Sequence, residues 1–145
     1  MLSDLLLQHG AHVNAKTSKN KSPLHFAARY GHTQLIHFLF DNGAEVNNLS
    51  SNYNTPLHTA AQHGHSEAVR VLLDRSAYVN CRDYKFRTPL HKAAANGFSL
   101  CLQLLLEKGA DATLKDEKGF TALDYAKQSG GLECERTLLT KLKEN

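Results

Sequence analysis

The sequence has few cysteines and no long hydrophobic run. Its three cysteines, Cys81, Cys101 and Cys134, form no CxxC pair, and their odd number argues against a disulfide framework. No stretch approaches the roughly 18 apolar residues that a membrane-spanning helix needs. The opening residues are too acidic, and their apolar run too short, for a secretory signal. These features favour a protein of the reducing cytoplasm or nucleus that does not enter a membrane.

Strong charge of one sign and catalytic motifs are also missing. The net charge is only +3, and it is spread along the chain, which falls short of the dense basic signature of nucleic-acid binders. There is no serine elbow, no phosphate-binding glycine loop and no carboxylate pair with an evident pocket. We therefore expect no catalytic residue, no cofactor and no enzymatic activity from this single domain of 145 residues.

What the sequence does contain is a repeat of 33 residues. The same residue types recur at this spacing at four points of each unit. The recurring positions are Pro23, Pro56 and Pro89; Leu24, Leu57, Leu90 and Leu123; Gly31, Gly64, Gly97 and Gly130; and the alanines Ala11, Ala44, Ala77 and Ala110.

The motifs with this period resemble those of the ankyrin family. Ser22-Pro23-Leu24-His25, Thr55-Pro56-Leu57-His58 and Thr88-Pro89-Leu90-His91 resemble its TPLH signature, and Leu105-Leu106-Glu107-Lys108-Gly109-Ala110 resembles its LLxxGA ending. The resemblance covers essentially the whole chain. It implies an all-α solenoid of paired antiparallel helices, in which a β-turn finger joins each repeat to the next.

The period divides one domain, 1–145, into successive units. Residues 1–14 match only the second half of a repeat, so we expect either a chain cut from a longer array, which we favour, or an incomplete cap. The last unit has Glu135 and Thr137 where the unit before it has Leu102 and Leu104. Polar residues at these positions are expected of a terminal cap whose outer face meets solvent. The expected units are a partial repeat (1–14), three full repeats (15–47, 48–80, 81–113) and a capping repeat (114–145).

Local chemistry agrees with this division. Ser22 and its counterparts Thr55, Thr88 and Thr121 are suited to cap helix N-termini, and proline follows three of them at the first helical position. Ser76 stands where other units have glycine at a left-handed helix end, so Ser76→Gly should stabilise if the φ angle there is positive. We expect Leu138, Leu139 and Leu142 to point inward.

Nine histidines raise the question of a metal site. His25, His58 and His91 recur one repeat apart, a separation of about 10 Å in this fold, whereas zinc ligands lie about 2 Å from one ion. We therefore expect no metal and interpret these imidazoles as hydrogen-bonded links between helix and finger. Cys101 and Cys134 are expected in the core, and Cys81 is expected to be partly exposed with no histidine marking it as a nucleophile.

The finger tips depart from the family pattern. The family usually has glycine two residues before the capping threonine, whereas this chain has Asn20, Tyr53, Phe86 and Gly119 there. Because tyrosine and phenylalanine tolerate left-handed backbone poorly, we expect those two fingers to be shaped differently. Large apolar rings at exposed tips also need a functional reason.

These tips and the inner helices would line a concave surface suited to a partner protein. Tyrosine and arginine are enriched at the energetic centres of interfaces, and the basic residues favour an acidic or apolar partner segment. We expect a monomeric adaptor that binds there; binding at the convex face or the ends, a basic and aromatic nucleic-acid surface, and a purely structural spacer stay open. The candidate partner-binding residues are Lys19, Lys21, Arg29, Tyr30, Tyr53, His63, Arg82, Tyr84, Lys85, Phe86, Arg87 and Lys92.

A modification is also implied by resemblance. Asn14, Asn47 and Asn80 each follow valine, with leucine eight residues earlier, which is similar to the pattern that an oxygen-dependent asparaginyl hydroxylase recognises in many ankyrin proteins. Asn47 fits this pattern best. The alternative is that asparagine simply satisfies the turn.

Overall fold

A computed structural model describes residues 13–144, which form eight α-helices and no strand. The expected all-α repeat architecture is confirmed. Each repeat pairs an inner helix with an outer helix, and every inner helix packs on the inner helix of the next repeat. The helices are α1 Pro23–Tyr30, α2 Thr33–Asp41, α3 Pro56–Gln62, α4 Ser66–Asp74, α5 Pro89–Ala95, α6 Ser99–Glu107, α7 Ala122–Ser129 and α8 Leu132–Lys143.

The expected caps begin all four inner helices. The Thr55 side chain accepts the backbone N–H of His58, while the Thr55 N–H donates to His58 Nδ1 over 3.1 Å. Ser22 and Thr88 form the same reciprocal box with the histidine three residues later, and Thr121 forms it with Asp124. Each box satisfies two backbone groups that a helix end would otherwise leave unpaired. The helix starts are therefore determined by local sequence.

The core is a continuous apolar layer between inner and outer helices. The alanine pairs of α1, α3 and α5 are fully buried, which lets the inner helices approach closely. Cys101 and Cys134 are buried as expected, and Ser76 has a φ of +69°, which confirms the left-handed conformation expected there. In the part of the chain that the structure describes, no helix is long and apolar enough to cross a membrane.

The outer helix of the last repeat is more exposed to solvent than that of the repeat before it. Leu102 is fully buried, whereas its counterpart Glu135 is partly exposed, and the capping role of this repeat stays a prediction. Leu138 is buried and Leu142 half-buried, but the inward position expected for Leu139 is wrong, because its side chain is 38% exposed. Its counterpart Leu106 lies against α8, and no helix of the described chain follows α8 to cover Leu139 in the same way. The partial repeat expected at 1–14 lies almost wholly outside the described residues, and the repeat boundaries stay predictions.

Candidate functional site

Four fingers connect the repeats, and we number them 1 to 4 for residues 15–21, 48–54, 81–87 and 114–120. All four tips have the same left-handed conformation, so the expectation that Tyr53 and Phe86 would shape their fingers differently is wrong. Each tip residue donates its N–H over 2.9 Å to the carbonyl oxygen three residues earlier. The tip φ angles are +59° at Asn20, +59° at Tyr53, +60° at Phe86 and +83° at Gly119.

Hydrogen bonds within and between fingers impose this conformation. In finger 2, Ser50 Oγ accepts the N–H groups of Asn52 and Asn54, and in finger 3 the carboxylate of Asp83 accepts two N–H groups in the same way. Tyr84 N–H donates over 3.0 Å to the carbonyl oxygen of Asn52, which joins the two fingers. A tip held by so many bonds can keep a backbone conformation that its residue type disfavours.

The aromatic rings on these tips are left in solvent. The Tyr53 side chain is 56% exposed and that of Phe86 is 53% exposed. Tyr84 on finger 3 and Tyr30 at the end of α1 are also exposed, as expected. Phe26 on α1 is a further exposed ring that was not among the expected partner-binding residues. It occupies a position of the inner helix where the next two repeats carry Thr59 and Lys92. We call the fingers together with the accessible sides of the inner helices the finger face.

Lys92 does not present its charge on the finger face. Its side chain is only 7% exposed, and Nζ lies 3.2 Å from Asp83 Oδ2, which also accepts Arg87 Nε over 3.0 Å. Burial alone would raise the pKa of Asp83, but the Arg87 N–H and the Lys92 ammonium outweigh it and hold the pKa below its usual value. Lys92 therefore ties finger 3 to α5 through Asp83, while Arg87 binds the same carboxylate from within the finger. Lys92 lines the depression between fingers 2 and 3, but its charge is already paired.

Two neighbouring depressions bring several expected residues together. The first lies between fingers 1 and 2 and is lined by Lys21, Arg29 and His63. The second lies between fingers 2 and 3 and includes Tyr84 and Arg87. Asn52, Asn54 and Gln62 border both depressions, so the two lie side by side.

The other expected residues lie around these depressions. The Arg82 guanidinium lies 5.9 Å from the centre of the Phe86 ring, and Lys85 Nζ lies 5.4 Å from the centre of the Tyr84 ring. Such cation–π contacts hold charge and ring together on the tip. The candidates that line neither depression are Lys19, Tyr30, Tyr53, Arg82, Lys85 and Phe86.

His63 stands beside a second imidazole at the end of α3. Its ring stacks on that of His65 with 6.5 Å between centroids, and His65 Nε2 lies 2.8 Å from the carbonyl oxygen of Arg29. Partial burial, the Arg29 charge and His65 together lower the pKa of His63. His63 is thus an exposed imidazole whose charged form is disfavoured.

The recurring histidines form the expected links between repeats. The Nε2 atoms of His25, His58 and His91 lie 2.8–2.9 Å from carbonyl oxygens of the following finger. Within residues 13–144, no three His, Cys, Asp or Glu side chains are placed to hold a metal ion.

Cys81 lies closer to a histidine than its sequence position indicated. Its Sγ is 3.4 Å from Thr55 Oγ1 and 3.6 Å from His58 Nδ1. Burial raises the pKa of the Cys81 thiol to about 11, and His58 Nδ1 already accepts the Thr55 N–H. The pair therefore holds a thiol rather than the thiolate that a nucleophile requires.

The repeat-end asparagines link successive units. Asn47 Oδ1 accepts the N–H of Tyr78 over 2.9 Å, and Asn14 Oδ1 accepts the N–H of Glu45 over 2.8 Å. Asn80 makes the same bond to Asp111. This geometry supports a structural role for these side chains, and hydroxylation of Asn47 stays a prediction.

Comparison with known proteins agrees with the repeat architecture. A family model described as ankyrin repeats (3 copies) matches residues 2–83 and 79–145, which is nearly the entire chain. No curated protein matches the chain.

Proposed function

Because the chain belongs to the ankyrin-repeat family, whose members are generally protein–protein interaction modules, we propose that it is a non-catalytic adaptor. It binds a partner protein through the finger face, which corresponds to the expected concave surface. It works as a monomer in the cytoplasm or the nucleus, a setting consistent with the free thiols of its three cysteines.

The observation that carries this proposal is the pair of exposed aromatic tips. A left-handed backbone costs a residue other than glycine about 1–2 kcal/mol. Tyr53 and Phe86 both adopt it, yet neither ring recovers that cost by burial. Strained residues of this kind concentrate at functional sites, and tyrosine is enriched at the energetic centres of interfaces. A partner that covers both rings accounts for their presence.

The charge of the finger face supports a partner segment with acidic and apolar groups. Only four of the 14 carboxylates of the chain lie in the fingers and inner helices, and these segments are mainly basic. Of the four carboxylates on the finger side, Asp83 and Asp116 are buried, which leaves Glu117 and Asp124. The basic residues are Lys16, Lys19, Lys21, Arg29, Arg82, Lys85, Arg87, Lys92, Lys115, Lys118 and Lys127.

The proposal is tested by isolating a partner with this chain and then measuring its affinity for two variants. The first, Tyr53→Ala/Arg82→Ala/Phe86→Ala, removes exposed finger groups and leaves the ion pairs of Asp83 intact. The control, Arg70→Ala/Tyr78→Ala, removes comparable exposed groups away from the fingers. We expect the first variant to bind at least about tenfold more weakly, a loss of about 1.4 kcal/mol, and the control to bind as the parent does.

The finger-face proposal is contradicted if both variants lose the same affinity for the partner, or if neither variant loses affinity. The nucleic-acid alternative requires that the chain bind a single strand with an affinity that falls steeply as salt rises. The spacer alternative requires that the finger substitutions change no interaction at all.

A further inference from the structure

The depression between fingers 1 and 2 has a lining that differs from the rest of the finger face. It is bordered by α1 and α3 as well as by the two fingers. Among the described residues that line it, the ionisable ones are Lys21, His25, Arg29 and His63, which are all basic, and none is a carboxylate. The other polar residues that line it are Ser50, Asn52, Asn54, Thr59 and Gln62.

Among the described residues, no carboxylate pairs with the two cations of this depression, Lys21 and Arg29, and none lies within 4.0 Å of either. The neighbouring depression differs, because its Arg87 and Lys92 share the buried carboxylate of Asp83. Only the first depression therefore offers two cations to an incoming anion.

Neutral donors stand beside these cations. Among the described residues, the side chains of Asn52 and Gln62 make no hydrogen bond, so their amide N–H groups can serve a ligand. His63 adds a ring N–H, whereas the Nε2 of His25 is already engaged with the Asn54 carbonyl. The bond from His65 to the Arg29 carbonyl holds the backbone from which the guanidinium extends.

We propose that this depression binds the phosphoryl group of a phosphorylated side chain in the partner segment, an inference that rests on the proposed function. A phosphoryl group carries nearly two negative charges and three acceptor oxygens. Lys21 and Arg29 match its charge, and the amides of Asn52 and Gln62 with the ring of His63 match its oxygens. A carboxylate has one charge and two oxygens, so it would leave part of this set unused.

The site is tested without the partner by NMR on the whole chain. The probes are N-acetyl-phosphoserine amide and N-acetyl-glutamate amide, and the reporter is the His63 imidazole signal. We expect saturable binding of the phosphorylated probe, and affinity about tenfold lower in Lys21→Gln/Arg29→Gln. Lys115→Gln/Lys118→Gln makes the same charge change on finger 4 and should leave the affinity unchanged.

Three results overturn the site. They are a His63 signal that does not saturate, a glutamate probe that binds as tightly as the phosphorylated one, and a finger 4 control that loses as much affinity as Lys21→Gln/Arg29→Gln.

Phosphatase treatment of an isolated partner separates this inference from the proposed function. If removal of phosphate weakens binding to the parent chain but not to Lys21→Gln/Arg29→Gln, the pocket is supported. If binding is unchanged by phosphatase yet lost in Tyr53→Ala/Arg82→Ala/Phe86→Ala, the pocket inference fails and the finger-face function stands.

Discussion

His58 Nε2 lies 2.9 Å from the carbonyl oxygen of Arg87, so the inner helix of one repeat holds the finger of the next. The other ring nitrogen, Nδ1, accepts the N–H of Thr55. Because that backbone group can only donate, Nδ1 carries no proton and Nε2–H must be the donor to Arg87. Protonation of His58 at Nδ1 would remove the acceptor of the Thr55 N–H. The hydrogen bonds through which His58 links the repeats therefore depend on pH.

The first prediction is that the fold loses stability in mild acid. Burial lowers the pKa of His58 from 6.5 to about 4, and it also lowers the pKa values of His25 and His91. Between pH 6.5 and about 4, His58 binds a proton in the unfolded chain but not in the folded chain. Stability is therefore fully present above pH 6.5 and falls as pH drops towards about 4, by about 3 kcal/mol for His58 alone.

Urea unfolding across this pH range, with NMR titration of the histidine rings, checks the prediction. We expect the His58 signals to stay those of a neutral ring to below about pH 5. Titration of His58 near 6.5 in the folded protein would contradict the account.

The second prediction concerns Ser76, whose φ of +69° is unfavourable for serine. We expect Ser76→Gly to raise the free energy of unfolding by about 1 kcal/mol, because glycine adopts this conformation without strain. Ser51→Gly is the control, since Ser51 is an exposed turn residue that is not among those with positive φ. If chemical denaturation gives Ser76→Gly and Ser51→Gly the same free energy of unfolding, the claim that the backbone of Ser76 is strained is wrong.

The third prediction separates crowding from backbone strain at two glycines. Gly64 and Gly97 have nearly equal φ angles of +74° and +72°. A Cβ on Gly64 would lie 2.7 Å from the Phe98 ring, whereas one on Gly97 would meet nothing within 4 Å. We expect Gly64→Ala to lower the free energy of unfolding by about 1–3 kcal/mol more than Gly97→Ala. Equal losses in thermal or urea unfolding would show that Phe98 moves away without cost.

The fourth prediction is hydroxylation of Asn47. Mass spectrometry of protein produced in cells that contain the asparaginyl hydroxylase should find one added oxygen on the peptide that carries Asn47. Asn47→Ala should lose this mass change. An unmodified Asn47 peptide from such cells would contradict the prediction. The role of Asn47 would then be the hydrogen bond that its Oδ1 accepts from the Tyr78 N–H.

The repeat architecture could be predicted because its determinants are short-range. Thr55 caps α3 through a residue three positions away, and Pro56 follows at the first helical position. These contacts recur in each unit whatever surrounds them, so the 33-residue period indicates the helices directly. The links made by His58 and its counterparts span 29 residues, but they could be predicted because the same residue type recurs at the same place in each repeat.

The features that the sequence analysis got wrong or did not predict depend on contacts outside the local repeat pattern. Residue preference alone disfavours a left-handed Phe86, but bonds such as that from Tyr84 N–H to Asn52 impose the conformation across fingers. Lys92 is buried because finger 3 brings Asp83 over α5, a contact that no local pattern marks. Leu139 matches the buried Leu106 in sequence and differs only in the absence, among the described residues, of a following helix.

The central claim is that Tyr53 and Phe86 are kept for binding at a cost to stability. It is tested most directly by measuring both the free energy of unfolding and the affinity for an isolated partner in Tyr53→Gly/Phe86→Gly. Glycine relieves the backbone strain and removes the rings, while Ser76→Gly relieves similar strain without removing a ring. We expect both variants to be more stable than the parent and only the double variant to lose affinity, by at least about tenfold. Unchanged affinity in the more stable double variant would contradict the account.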